Sequence, residues 1–422
     1  MDGHLTVDTE IKTIRELIDR QARTMPEATF LISPETGRVV TFSDLQEQTR
    51  VLATQLQACR LERGNKVALL FDNGLFAVEW FLGTMYGGFV SVPLNVRAGI
   101  STLSFSLDHS DAKVVVVGNN YADLIKEVMA NVRRAVKVIP TNVDGFAIVD
   151  EAQVSSASLP TPTSEDLALL MYTSGSTGRP KAAMHSHRTV LSHGRNSISA
   201  HRLTSEDRSL LVLPLYHINA ECVTLIPALL SGGSVVVPHV FSVSQFWDWL
   251  DHYRCTWSAV VPTIISQLLD WNDPDAERRQ ASFERIRFLR SSSAPLSPSL
   301  HREFLAKFKL LLVQAMGSTE AGNIFSNPLP PAENKIGSPG LPWGFETKIM
   351  NQEGAETRVG EPGEVFIRGP AMMQGYYKDS EGTATVLGPD GWFRTGDLAY
   401  RDADGYFFVV GRSKELIIKG GG

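Results

Sequence analysis

The chain has no surplus of positive charge: 40 lysines and arginines stand against 46 aspartates and glutamates, a formal charge of −6. Proteins that track a phosphate backbone neutralise it with clustered basic side chains, so nucleic acid is excluded as the main partner. Cysteine is scarce too. Cys59, Cys222 and Cys255 lie far apart with no CxxC pair, which excludes a disulfide framework or zinc cluster and places the chain in a reducing compartment, by default the cytoplasm. Long apolar runs are missing: the opening MDGHLTVDTEIKTIRELIDRQAR carries acids within its first turns and reads as neither signal peptide nor membrane span. There is no repeat of solenoid period. What is present, 422 residues of which 43% are hydrophobic and 20% charged, suffices to bury more than one core.

After an amphipathic opening helix, short Val-rich runs (KVALLFD, FVSVPLNV, AKVVVVG) alternate with segments whose apolar residues recur at three- and four-residue spacing. That alternation predicts a parallel sheet with covering helices. The rhythm continues through SLLVLPLYH, helix-like AECVTLIPALL, GSVVVPH, helix-like SQFWDWLDHYR, TWSAVVPT, IRFLRSS and KLLLVQAMG. Beyond about residue 330 it gives way to short Gly- and Pro-punctuated strands such as GEVFIRG and GYFFVVGR, a pattern of a small antiparallel sheet or barrel. The expected fold is α/β: two doubly wound subdomains over 1–165 and 166–330, a small β-rich subdomain over 331–411, and a terminal segment 412–422. The stretch TNVDGFAIVDEAQVSSASLPTPTSED is the one loose linker expected.

The most informative segment is LALLMYTSGSTGRPKAAMHSH. An apolar strand runs into Thr173, Ser174, Gly175, Ser176, Thr177 and Gly178, then Lys181. Glycines and small hydroxyl residues let backbone N–H groups converge on an anion, and a lysine at the rim adds a compact positive charge. A flexible Ser/Gly turn is the plain alternative, but this combination behind an apolar strand favours polyphosphate. The Walker loop is excluded, because that motif needs glycine directly before its lysine and Pro180 stands there.

At this segment the sequence resembles the adenylate-forming superfamily of acyl-CoA synthetases, aryl-CoA ligases, firefly luciferase and nonribosomal-peptide adenylation domains. Its phosphate signature reads close to YTSGSTGxPKG; Ala182 replaces the last glycine. Further signatures follow in the family's order. LPLYHINA, with Tyr216 and His217, resembles the segment bordering the acyl pocket, although a histidine after a strand is by itself more often structural. RSSSAPLS resembles the loop between adenine and acyl group, spanning Ser292, Ser293, Ala294 and Pro295, with the two serines replacing the usual Gly and Ala. AMGSTEAG resembles YGxTE, which implies that Gly317, Ser318 and Thr319 lie near the nucleotide and that Glu320 ligates Mg2+; Met316 replaces the tyrosine that stacks on adenine. An isolated TE pair would carry no such meaning. WFRTGDLAY matches the TGD motif, whose Asp397 would bind both ribose hydroxyls, its alternative being a turn aspartate. GRSKELIIKGG resembles the hinge, with Arg412 on ribose or phosphate and Lys414 the pivot of a C-terminal lid expected to follow. The resemblance covers the chain from about residue 30 onward.

It implies attack of a carboxylate on the α-phosphorus of ATP to give acyl-AMP, then transfer to the thiol of coenzyme A. Lys181, Thr319, Glu320 and His217 are the expected catalytic residues, with ATP, Mg2+ and CoA as cofactors. A carrier protein as acceptor and a non-catalytic adenylate-binding module stay open as alternatives. Amino-acid adenylation domains place an Asp after the segment matching LPLYHINAE, where this chain has Asn219, Ala220 and Glu221; a non-amino carboxylic acid is therefore expected. Glu221 either binds a cationic group or, more commonly for an acid starting a helix, sits at the surface.

Overall fold

Helices begin where the sequence supplies a cap. In the structure, a computed structural model describing residues 11–145, 158–173, 179–272 and 283–413, Thr13 accepts a hydrogen bond from the Glu16 amide to open helix Ile14–Thr24. Thr41 and Asp44 form a reciprocal capping box at Phe42–Ala58. The next helix, Leu75–Tyr86, is buried along its whole length, which explains why its sequence is apolar on every face.

Two large sheets carry the molecule. The seven-stranded sheet runs, from one edge, Gly375–Tyr376, Lys181–Ser186, Leu167–Thr173, Val90–Pro93, Lys66–Leu70, Ala112–Gly118 and Lys137–Thr141. It is parallel from Leu167–Thr173 onward and antiparallel at the other edge. Ala112–Gly118 is buried at all but one position, so its valines fall in a continuous run, as strands covered on both faces require. The nine-stranded sheet contains the parallel strands Phe288–Ser291, Trp257–Val260 and Ser234–Val236, with Thr29–Ile32 parallel to the last of these. At the other side Leu312–Ser318 turns back into Gly322–Ser326 as an antiparallel pair. A third sheet of four antiparallel strands, Glu346–Met350, Gly363–Arg368, Phe393–Arg401 and Phe407–Arg412, forms the β-rich part expected after residue 330. The fold is the mixed α/β of parallel sheets with several subunits of structure that the alternation predicts. Both large sheets draw strands from either side of residue 165. Among the described residues no helix is long and apolar enough to cross a membrane.

One local reading differs from the structure. AECVTLIPALL is not one regular helix: a π-helical turn, Glu221–Leu225, separates short helix Ile218–Ala220 from Ile226–Ser231, and such turns concentrate at functional sites. Of the expected loose linker, residues 146–157 lie outside the described residues, and its described ends make side-chain hydrogen bonds. The Asp166 carboxylate takes both Nε and Nη2 of Arg63, and Asp144 accepts from Ser33 and the Leu75 amide.

Candidate active site

Two cavities meet where the second sheet ends. The larger, about 800 Å3, is lined by Ser293, Ala294, Pro295, Met316, Asp397 and Arg412. The smaller, about 430 Å3, is lined by Tyr172, His217, Asn219, Arg290, Ser292 and Thr319 among others. Ser293 and Gly317 line both. The loop 292–295 and the hairpin at 317 therefore form the partition and the passage between them.

Local geometry accounts for these residue types. Ser293 has a φ of 70°, a left-handed conformation uncommon for a non-glycine residue and often associated with functional sites. A glycine at this position would adopt it without strain. Gly317 has no such freedom to change: a Cβ there would overlap the Gly322 carbonyl across the Leu312–Ser318/Gly322–Ser326 hairpin. Met316 is half-buried and packs on the cluster that includes Ile324 and Tyr376. It thus presents a thioether edge to the larger cavity where the resemblance implies an aromatic face.

Asp397 and Arg412 are register partners on adjacent antiparallel strands, with Arg412 Nε 2.9 Å from Asp397 Oδ1. Burial raises the Asp397 carboxyl above its ordinary range, and Arg412 offsets part of that. Arg412 is mostly exposed and Asp397 is not, so the pair is a buried acceptor held by an exposed donor.

Thr319 and Glu320 sit on the hairpin turn. His185 Nε2 lies 2.9 Å from the Thr319 carbonyl, and His193 Nε2 lies 3.4 Å from His185 Nδ1. Both histidines are fully buried, which lowers the His185 pKa to about 4 and pushes His193 well below its ordinary value. Two neutral imidazoles thus back the turn. The Tyr376 hydroxyl donates to Glu320 Oε1 at 2.7 Å, and the Lys181 ammonium sits 4.6 Å from the Tyr376 ring centroid and 3.2 Å from Asp379 Oδ2. Lys181, Tyr376, Asp379 and Glu320 form one polar cluster, and none of the four lines either cavity. Glu320 Oε2 has no hydrogen-bond partner among the described residues. A half-buried carboxylate with one oxygen anchored and one open suits a hard cation that keeps most of its waters.

Of the expected residues, Ser292 to Pro295, Met316 to Thr319, Asp397, Arg412 and His217 border the two cavities. Thr173 ends the strand Leu167–Thr173, opposite Lys181. Ser174, Gly175, Ser176, Thr177, Gly178 and Lys414 lie outside the described residues. Burial lowers the His217 pKa, so the imidazole is neutral. Glu221 is not at the surface, as the more common case would have it: it is fully buried in the π-helical turn, neither oxygen has a hydrogen-bond partner among the described residues, and burial raises its pKa well above the ordinary carboxylate value. Sequence reasoning missed Tyr376, Asp379, His185, His193, Asn323 and any role for Arg290. A signal existed only for the last, an arginine inside the apolar strand FLRS.

The comparisons with known proteins agree with this geometry. Residues 18–377 match the AMP-binding enzyme family. A sulfoacetate–CoA ligase from Cupriavidus necator is 40% identical over 412 residues, covering 97% of this chain and 80% of that protein. A feruloyl-CoA synthase from an Amycolatopsis species is 34% identical, covering 95% and 79% respectively. The crystal structure of ATP-bound MatB from Rhodopseudomonas palustris superposes with a TM-score of 0.85 at 28% identity, covering 97% of this chain and 81% of that one.

Proposed function

Because the chain belongs to the AMP-binding enzyme family and is an AMP-forming acid–CoA ligase, we propose that the larger cavity takes the nucleoside of ATP and the smaller one the acid. The carrying observation is their junction: Ser293 and Gly317 line both, so a carboxylate in one faces the α-phosphate of a nucleotide in the other.

A carboxylate resists thiolysis because an oxide would have to leave. In the first step a carboxylate oxygen bonds to the α-phosphorus and the bond to the bridging oxygen breaks, releasing pyrophosphate. In the second, the CoA thiol gives up its proton and its sulfur bonds to the acyl carbon, with AMP leaving. Both steps depend chiefly on positioning and charge compensation. Asp397, its carboxylate on the wall of the larger cavity, accepts the ribose hydroxyls in exchange for part of its contact with Arg412, and Arg412 follows the nucleotide. Lys181 serves the β- and γ-phosphates, and the neutral imidazoles behind Thr319 hold that turn in place. Glu320, with Oε1 anchored by Tyr376, would hold Mg2+, whose charge offsets that of the phosphates. His217, neutral and beside Tyr216, borders the entry of the acid.

A non-amino acid is the substrate in this reading, since among the described residues no carboxylate lines the smaller cavity to take an α-ammonium. The relatives act, by their names, on sulfoacetate and ferulate, a dianion and a monoanion at neutral pH, so likeness alone selects neither. The three unbridged cysteines support action in a reducing, cytoplasmic setting. The test is product stoichiometry across a panel of acids: acyl-CoA, AMP and pyrophosphate should appear in equal amounts. Formation of ADP, or thioester only on a phosphopantetheinylated carrier protein, contradicts the proposal.

A further inference from the structure

A buried charge without a counter-charge is rare, because desolvating an ion costs far more than desolvating a neutral group. Arg290 is such a charge. It lies in strand Phe288–Ser291 and is 1% exposed. Among the described residues its guanidinium meets only neutral acceptors: Nη1 donates to Asn219 Oδ1 at 3.0 Å and to Ser292 Oγ at 2.7 Å, and Nη2 donates to Asn323 Oδ1 at 2.8 Å. Among the same residues the buried Nε has no partner, and no carboxylate pairs with this side chain. Burial lowers its pKa to about 9, which still leaves it charged at neutral pH.

This cation lines the cavity assigned above to the acid. It is also close to the junction. Asn219 Nδ2 donates onward to Ser292 Oγ at 2.8 Å and to Ser293 Oγ at 3.3 Å, so two hydrogen bonds span from the guanidinium to a residue that borders both cavities. A simple alkyl chain placed here would bury its methylenes against Arg290, Asn219, Ser292 and Thr319, leaving the charge uncompensated.

We propose that Arg290 is the counter-charge for a second anionic group on the substrate, which is therefore a short acid bearing a distal carboxylate or sulfonate besides the carboxylate that is activated. This rests on the acid–CoA ligase reading and narrows it. A guanidinium presents a rigid fork of donors that matches an oxyanion, and Nη2, which donates only to Asn323 Oδ1 among the described residues, keeps a second N–H for it. Asn219 and Asn323 act as positioning residues that hold the fork while the site is empty of acid. Glu221 does not compete for this role, since it does not line the cavity.

The experiment compares matched pairs of acids in pyrophosphate–ATP exchange by the full-length protein: malonate against propionate, succinate against butyrate, and sulfoacetate against propionate. The wild type is expected to favour the dianion by about 100-fold or more in kcat/KM, the scale of a buried charge pair losing one partner. The malonate and sulfoacetate arms tell a distal carboxylate from a sulfonate. Arg290→Met should reduce the dianion-to-monoanion ratio by about 100-fold, with Arg290→Lys intermediate because it keeps the charge and loses the fork. If the methionine variant fails to fold, the wild-type ratios and the lysine variant carry the test alone. A wild type that prefers the monoanion of each pair, or variants that weaken both members equally, overturns the inference and leaves the ligase reading intact. Exchange with no acid at all overturns both.

Discussion

The two cavities are built on opposite plans. The larger one is bordered by motif residues on loops and strand ends, with an exposed cation, Arg412, over a buried carboxylate, Asp397. The smaller one is bordered by a buried cation, Arg290, fixed by two asparagines and a serine drawn from three separate stretches of chain. A cavity that must bind the same nucleotide in every relative keeps recognisable signatures. A cavity that selects among acids is made from side chains whose meaning depends on what the fold brings together.

Four substitutions separate the nucleotide end from the acid end. The largest effect is expected from Glu320→Gln, which should lower kcat for thioester formation by about 100- to 1,000-fold, the scale of removing one group that stabilises developing charge. Single-turnover kinetics check it, and an unchanged preference among acids would confirm that this residue serves the nucleotide end alone. Asp397→Ala follows. Hydrogen bonds to a charged group contribute about 1.5–3 kcal/mol, so KM for ATP should rise by about 10- to 100-fold while KM for the acid stays put. Equal rises in both would blur the division between the cavities.

The histidine pair behind Thr319 gives a pH test. His185 titrates near pH 4 when folded and near 6.5 when unfolded. Between those values the unfolded chain holds the extra proton, so this contribution to stability is complete above pH 6.5 and is lost as the pH falls toward 4. The slope is at most about 1.4 kcal/mol per pH unit for one group. His185→Gln, which keeps a donor for the Thr319 carbonyl, should remove one such slope from urea denaturation measured at pH 5 and pH 7. The smallest effect is Met316→Tyr. An aromatic face toward adenine is worth about 0.5–1.5 kcal/mol, so KM for ATP should fall by about 2- to 10-fold, as steady-state kinetics would show.

What was legible in the sequence follows the same division. Strands such as AKVVVVG and WSAV announced themselves as apolar runs because they are covered on both faces. Ser293, Met316, Asp397 and Arg412 came from ordered motifs and do border one cavity. Tyr376 and Asp379 were not legible, because they reach Lys181 and Glu320 only once Gly375–Tyr376 pairs with Lys181–Ser186. The His185–His193 pair spans a strand and the following helix, a contact with no spacing rule. Glu221 misled for a related reason: an acid before an apolar run resembles an exposed helix start, and only the π-helical turn shows it facing inward.

The central claim, that the acid's own oxygen attacks the α-phosphorus, is tested most directly by isotope transfer. With the carboxylate labelled with 18O on both oxygens and CoA present, each AMP produced should carry one labelled oxygen, read by mass spectrometry of the nucleotide. Label found in inorganic phosphate, or AMP without label, would contradict it.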